Sequence, residues 1–306
     1  MPTLNQRIQQ FYDQSTPLWL EVWGEHMHHG YYGADGKERK EHRQAQVDMV
    51  AEVLKWGKID AGYQMPSTRP SDQVTERSSD SEPLTGNCYQ ILDLGCGVGG
   101  SSRLLAKWFD AEVLGLTLSE VQAENARKYT QQAGLQNQIE FRVQDMMTLT
   151  AEADGLFDLI WSMESAEHIA DKKGLLQLFY NLLKPGGKFL MVTWCHRDIP
   201  PKLSDSEKKL LQQVCDLYHL PPWISIAEYK KLAVETGFGK VKTGDWSQAV
   251  FPFWGAVMRS AFTWRGLKGL LTSGWGTIKG AYAMRFMQAG FRRGLVKYGV
   301  IQGQRF

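Results

Sequence analysis

The feature that most constrains this chain is Ile91-Leu-Asp-Leu-Gly-Cys-Gly-Val-Gly-Gly-Ser-Ser102. An apolar run carrying one aspartate stops at Gly95, and glycines follow at Gly97, Gly99 and Gly100 before a helix-starting Ser-Ser pair. Glycine tolerates positive φ and lets a ligand approach the backbone. A strand, a glycine turn and a helix N-terminus in that order make a ligand seat at the carboxyl end of a parallel sheet.

The rest of the chain alternates in the way such a sheet needs. Strands are predicted at Tyr89–Leu94, Glu112–Leu116, Ile139–Val143, Phe157–Trp161, Lys188–Trp194, Lys240–Asp245 and Val296–Gln302. Helices are predicted at Leu4–Asp13, His42–Trp56, Ser101–Phe109, Glu120–Ala133 with Ser119 as N-cap, Lys172–Leu183, Ser204–Tyr218 and Ile226–Thr236. A glycine-broken helical stretch is predicted from Phe251 to Gly294. Strand–helix alternation at this spacing implies an α/β fold, a mostly parallel sheet of about seven strands with helices on both faces. Between Gly57 and Asn87 the pattern collapses into Pro, Ser, Thr, Asp and Glu, read as a flexible polar insertion. The expected organisation is an N-terminal helical cap (1–56), the insertion (57–88), a ligand-binding core (89–200), and the rest of the sheet with a helical insertion facing the substrate and membrane (201–306).

Gly95, Gly97 and Gly100 satisfy the G-x-G-x-x-G dinucleotide pattern, which keeps a NAD-dependent oxidoreductase open. Two details argue against a pyrophosphate. Asp93 lies two residues before the first glycine, where it would repel phosphates and suit a cation. The next strand ends Leu114-Gly-Leu-Thr-Leu-Ser119 with no acid for a ribose, although Glu112 at its start keeps the rival alive. S-adenosylmethionine (SAM), cationic and without phosphate, fits better.

Asp-x-Gly-x-Gly-x-Gly-Gly at 93–100 resembles the first motif of class I SAM-dependent methyltransferases, which have a Rossmann-like fold. Gln144-Asp145 is similar to their adenine site, and Leu183-Lys-Pro-Gly-Gly-Lys-Phe-Leu190 to their late turn and strand. The resemblance implies cofactor contacts from Asp93, Gly95, Cys96, Gly97, Gly99, Thr117, Leu118, Gln122, Asp145, Met146 and Trp161, with Thr117 standing where the usual ribose acid is missing. Four further stretches look like the tocopherol C-methyltransferases. These are Trp23-Gly-Glu-His-Met-His-His-Gly-Tyr-Tyr32, Trp161-Ser-Met-Glu-Ser-Ala-Glu-His168, Val192-Thr-Trp-Cys-His-Arg197, and Asp245-Trp-Ser247 with Pro252-Phe-Trp254. Leu270–Trp275 and Lys279–Ala281 extend the match. The resemblance implies ring methylation of a phenolic prenyl-lipid (a chromanol), most simply γ-tocopherol to α-tocopherol. Plant alkaloid N-methyltransferases are similar too. An O- or N-methyltransferase of a soluble natural product is therefore the alternative, and a non-catalytic SAM-binding protein a third.

An aromatic carbon beside a phenol is a poor nucleophile until the phenol, with a pKa of about 10, loses its proton to a base. The candidates cluster in Glu164-Ser-Ala-Glu-His168: His168 is the expected base, with Glu167 or Glu164 holding it. The bland alternative has one glutamate capping the helix near Asp171 while His168 packs. His29, Tyr31 and Tyr32 are expected in a lid, with a tyrosine against the sulfonium or ribose. His196, Asp245 and Trp254 are expected to face the substrate. The three imidazoles of His26, His28 and His29 lack a plausible fourth ligand nearby, so no metal is expected.

Charge adds a partner. From Trp246 to Phe306 there is no Asp or Glu but nine Lys and Arg, while the first 245 residues hold 26 basic against 33 acidic residues. The basic segment interleaves aromatic and aliphatic anchors, including Phe253, Phe262, Trp264, Leu267, Leu270 and Phe291. That suits peripheral contact with an anionic membrane; an ordinary helical pair covering the substrate is the alternative. No nucleic-acid module, obligate protein partner, signal or transit peptide is apparent, and no apolar run reaches the roughly 18–20 residues of a membrane span. The four cysteines form no Cys-x-x-Cys pair, which fits free thiols in a reducing cytosol. A cytoplasmic, membrane-peripheral protein is expected.

Overall fold

The computed structural model describes residues 3–59, 88–261 and 275–306. Most of the expected polar insertion, and the anchors Phe262, Trp264, Leu267 and Leu270, lie outside the described residues.

Seven strands form one sheet: β1 (Gln90–Leu94), β2 (Glu112–Thr117), β3 (Ile139–Val143), β4 (Phe157–Met163), β5 (Leu183–His196), β6 (Gly239–Asp245) and β7 (Val296–Gln304). Their order is β3-β2-β1-β4-β5-β7-β6. The first five run parallel, and β7 is antiparallel to both β5 and β6. The chain therefore reverses direction across the sheet at β1, where β2 goes to one side and β4 to the other. Such a switch point opens a crevice at the carboxyl ends of the strands.

Helices cover both faces. The α1 (Leu4–Val22), α2 (His42–Gly57), α3 (Gly100–Phe109) and α4 (Glu120–Gln132) helices precede β3. A short α5 (Ala151–Asp154) leads into β4. The α6 (Lys172–Leu182), α7 (Asp205–Tyr218), α8 (Ile226–Thr236), α9 (Ser247–Val250), α10 (Pro252–Ala261) and α11 (Trp275–Arg292) helices complete the fold. Side chains alternate across each strand. Ile91, Leu159, Trp161, Leu190, Val192, Trp194, Tyr298 and Val300 join Met49, Leu105 and Ala126 in one core. Leu92, Leu94, Ile160, Phe189 and Met191 join Leu175, Phe179 and Tyr229 in the other.

Two elements run longer than the sequence suggested. The first helix continues past Asp13 to Val22 despite Pro17. Along it the rings of Phe11, Tyr12 and Trp19 pack edge to face and Trp19 stacks on Trp23, while Thr16 Oγ1 donates to the Tyr12 carbonyl at 2.6 Å. The fifth strand begins at Leu183 rather than Lys188. Pro185-Gly-Gly is absorbed where its register with β4 shifts, and Gly186 N bonds the Arg305 carbonyl at 2.7 Å.

Candidate active site

Asp93 sits near the end of β1 and is 2% exposed. It accepts one hydrogen bond, from Ser102 Oγ in the first turn of α3, at 2.6 Å. Burial pushes its carboxyl up to about 7, with Ser102 pulling the other way. A buried carboxylate supported by one hydroxyl gains from a cationic ligand and rejects a phosphate. Beyond it the chain turns sharply: Gly95 N and Cys96 N both donate to the Leu116 carbonyl, at 3.0 and 2.8 Å. Gly95 (φ 80°), Gly97 (56°) and Gly99 (76°) all occupy the left-handed region, and a Cβ on Gly95 would strike the side chain of Ser165. Burial pushes the Cys96 thiol far up, so it stays neutral.

The adjoining turns supply polar groups of the right kind for a nucleoside. Thr117 Oγ1 donates to Gln122 Oε1 at 2.7 Å, and Ser119 N donates to Thr117 Oγ1. Leu118 lies between them in the turn after β2. Asp145 caps the 3-10 turn Met146–Thr148, accepting from Met147 N at 3.0 Å and from Asn5 Nδ2 of α1 at 2.7 Å. Trp161, on β4 beside Asp93 in register, is 1% exposed, and its indole N–H has no hydrogen-bond partner among the described residues. A buried cation seat, a glycine turn and a two-residue polar shelf fit SAM, which supplies an electrophilic methyl when bound.

The N-terminal residues cross this crevice. Asp13 accepts from Ser119 Oγ at 2.5 Å, Arg103 Nη2 donates to Glu25 at 2.6 Å, and Met27 lies against Gly97. His26, Met27 and His28 face Asp93, Gly95, Gly97 and Met163 across a recess of about 30 Å³. The strap therefore forms one wall of this recess. Tyr31 and Tyr32 are not the residues on the loop. Tyr31 packs on Trp246 (ring centroids 5.2 Å apart), and Tyr32 is buried with Ala45, Phe253 and Val257. The strap turns away after His29, because Tyr31 N bonds Ala45 O on α2 and Tyr32 N bonds Ala249 O.

Beside the crevice, β4 is followed by Glu164, a non-glycine residue with φ 53°. Such a conformation costs about 1–3 kcal/mol and persists only where surroundings enforce it. Here they do. Glu164 N donates to Val192 O at 2.8 Å. The carboxylate accepts from His29 N at 2.6 Å, His29 Nδ1 at 2.8 Å and Tyr298 Oη at 2.5 Å. Burial pushes Glu164 up, but the facing His29 and the donated hydrogen bonds together hold it below the ordinary carboxylate range. Burial first, and the Glu164 charge second, raise Tyr298 well above 10, so it remains a donor.

The expected Glu–His168 pairing is not what the fold builds. Glu164 goes to His29 and Tyr298, and Glu167 accepts from Thr193 Oγ1 at 2.8 Å behind the sheet edge. Burial and the Glu164 charge push Glu167 up to about 8. His168 instead has Nε2 2.8 Å from Tyr12 Oη, and burial with nearby Lys172 pushes it down to about 3. A residue spacing cannot show this. After Met163 the chain enters a 3-10 turn (Ala166–His168), which aims Glu164, Glu167 and His168 in different directions. Neither glutamate caps α6 either; Asp171 does, accepting from Gly174 N.

Of the remaining candidates, Trp254 lies with Trp194, Phe253 and Tyr298 around the His29 ring. His196 bonds the Arg197 carbonyl at 2.7 Å. Asp245 pairs with Lys297 at 2.9 Å and lines a separate surface recess with Asp198 and Thr243. Both therefore have structural partners of their own. Tyr298, Asn5, Asp13 and Tyr12 escaped the sequence reading. Alternation in Val296-Lys-Tyr-Gly-Val puts Tyr298 on the face of Val296 and Val300, but only pairing of β7 with β5 brings it to Glu164.

Residues 86–243 match the model of a methyltransferase domain. A protein of Oryza sativa subsp. japonica named "Probable tocopherol O-methyltransferase, chloroplastic" is 40% identical over 98% of this chain and 78% of its own length. The Arabidopsis thaliana tocopherol O-methyltransferase, also chloroplastic by name, is 38% identical over 99% of this chain and 82% of its own. The chain belongs to the tocopherol methyltransferase family. It is a SAM-dependent methyltransferase. The same architecture occurs in geranyl diphosphate C-methyltransferase of Streptomyces coelicolor, solved with S-adenosyl-L-homocysteine. The TM-score is 0.67 and the identity 18%, over 100% of this chain and 98% of that one. That likeness concerns the fold alone. The family assignment removes the oxidoreductase and binding-protein alternatives.

Proposed function

We propose that the enzyme methylates a ring carbon of a phenolic prenyl-lipid, with γ-tocopherol as acceptor and α-tocopherol as product. The observation that carries this reading is the extent of the likeness to the two plant tocopherol methyltransferases. They are 38–40% identical over 98–99% of the chain, including the N-terminal strap and the helices after β6 that lie outside the matched methyltransferase domain. Their names specify O-methylation; removal of the phenol proton activates the oxygen and the ortho carbons alike, and carbon is the proposed acceptor. The buried carboxylate, imidazole and tyrosine at the end of β4 suit removal of a phenol proton. The resulting phenolate is strongly nucleophilic at its ortho carbons. Asp93 would hold the cationic end of SAM, Thr117 and Gln122 the ribose, and Asp145 the adenine amine.

Methyl-labelled SAM with γ-tocopherol tests it. The expected product is an aryl-methyl chromanol with a free phenol by NMR. A labelled methyl ether would move the reaction to oxygen, and turnover on soluble amines without chromanols would overturn the acceptor class.

A tailed acceptor also implies a membrane surface, reached from the cytoplasmic side by the acid-free basic segment after Asp245. Among the described residues no helix is long and apolar enough to cross a membrane. Co-sedimentation with anionic liposomes at low salt is expected, and its absence would refute peripheral contact.

A further inference from the structure

The residue best placed to take the acceptor's proton lies in the strap rather than in the Glu164–His168 stretch. His29 is 1% exposed. Its Nδ1 faces the Glu164 carboxylate at 2.8 Å, which fixes that nitrogen as the N–H donor and leaves Nε2 as the acceptor. Nε2 is buried and has no hydrogen-bond partner among the described residues. Buried polar atoms are normally satisfied, so an orphan beside a reaction centre points to a ligand.

The surroundings describe what that ligand is. The His29 ring lies 4.7–4.8 Å from the rings of Phe253, Trp194 and Trp254, and 5.7 Å from those of Trp23 and Tyr298. The indole N–H of Trp254, one of these rings, is likewise buried without a hydrogen-bond partner among the described residues. Aromatic side chains with one unpaired acceptor and one unpaired donor among them are of the kind that recognise an aromatic ring bearing a hydroxyl. On its other side His29 follows His28, whose Nε2 lies 3.5 Å from Ser101 Oγ on the cofactor loop. His29 thus stands between the SAM crevice and these aromatic side chains.

We propose that His29 is the catalytic base that removes the acceptor's phenol proton, and that Glu164 and Tyr298 are positioning residues that hold its imidazole. This rests on the phenol-methylating reading above. The proton moves from the phenol oxygen to His29 Nε2. The phenolate's ring carbon then forms a bond to the SAM methyl as the methyl–sulfur bond breaks, its electron pair staying on sulfur. The resulting dienone loses its ring-carbon proton to water, restoring the aromatic ring, and His29 returns its proton to the phenolate oxygen. The net change is one methyl gained, one proton released and S-adenosylhomocysteine formed.

The ionisable groups facing His29 are Glu164 from β4, Tyr298 from β7 and its own neighbour His28, with Glu167 behind Glu164. The Glu164 carboxylate holds the ring nitrogen opposite the one that takes the proton. Tyr298 stays neutral and donates to Glu164, which keeps that carboxylate ionised.

His29→Gln and Glu164→Gln decide the matter, with SAM affinity by calorimetry as the check on folding. His29→Gln is expected to lower kcat/KM on γ-tocopherol by about 100- to 10,000-fold while binding SAM within about threefold of wild type. Its defect should shrink on ring-fluorinated chromanols, whose phenols ionise more easily; a merely structural defect would be equal on all acceptors. A second readout needs no turnover. Ultraviolet difference spectra of a bound fluorochromanol should show ionisation at lower pH in wild type than in His29→Gln. Should His29→Gln fail to bind SAM, Glu164→Gln carries the test, with a smaller loss and the same acceptor dependence. Wild-type rates, or a loss independent of acceptor acidity, would overturn His29 as base and leave the function standing. A wild-type enzyme inert toward every phenol would overturn both.

Discussion

Asp93 illustrates how a binding site is held at the expense of stability. The carboxyl is buried against one hydroxyl, and burial raises it from 3.8 to about 7. A raised carboxyl means that the folded chain holds its proton more tightly than the unfolded chain. Below pH of about 4 both states are protonated and nothing is lost. Between about 4 and 7 the unfolded chain ionises first, so stability falls as pH rises by about 1.4 kcal/mol per pH unit. Above about 7 both states are ionised and the loss is complete, on the order of 4 kcal/mol. Asp93→Asn removes this dependence. It keeps an acceptor for Ser102 Oγ but adds a buried amide N–H pair, which costs about 1–3 kcal/mol at every pH. The pH dependence is therefore the clean observable. In urea unfolding of the ligand-free protein, the stability of Asp93→Asn relative to wild type should improve by about 2–3 kcal/mol between pH 5 and pH 8. SAM binding should move the other way. Losing one charge-assisted contact of about 1.5–3 kcal/mol weakens affinity about 10- to 150-fold at pH 8. A stability difference that is flat with pH, or unchanged SAM affinity, would refute the assignment of Asp93 as the buried cation seat.

Gly95→Ala places a Cβ at φ 80° against Ser165, which is pinned to the Leu94 carbonyl and to Ser162 Oγ at 2.6 and 2.8 Å. The backbone contributes about 1–2 kcal/mol and the overlap about 1–3 kcal/mol; a loss under about 1 kcal/mol in urea would contradict the geometry. Arg103→Met removes the 2.6 Å pair with Glu25 and the 2.8 Å bond to the Val98 carbonyl. Amide exchange across residues 24–29 should quicken, and an unchanged exchange pattern would show that this pair does not tether the strap. Asp145→Ala removes the partner of Asn5 as well as the proposed adenine acceptor. SAM affinity should fall about tenfold or more, worth at least ~1.4 kcal/mol, with faster exchange at the start of α1; retention of wild-type affinity would place the adenine elsewhere.

Much of the scaffold was legible because it rests on local rules. Period-2 and period-3.6 runs identify the strands and helices, Ser119 stands at an N-cap and accepts from Gln122 N, and the glycine loop turns where only glycine is comfortable. The aspartate before that loop argued for a cationic ligand over a pyrophosphate. Elements were misjudged where distant partners decide. α1 runs through Pro17 because its aromatic face packs on itself and on Tyr218 and His219 of the α7 end. β5 starts early because Leu183 pairs with Phe157 of β4, and Gly186 and Gly187 exchange backbone hydrogen bonds with Arg305 just past β7.

The candidate site divides in the same way. The sequence by itself determined a parallel sheet, a SAM-type loop and two clusters of acids and imidazoles, since each depends on neighbouring residues and on residue chemistry. Only the tertiary structure decided which imidazole meets which carboxylate. Glu164 and His168 are four residues apart, yet the backbone turn at Glu164 separates them. His29 is 135 residues away from Glu164 and bonds it directly. Side-chain pairing follows distance in space and the need to satisfy every buried charge. That distance is set by strands β4, β5 and β7 lying side by side and by the strap crossing their ends, which no reading of adjacent residues contains.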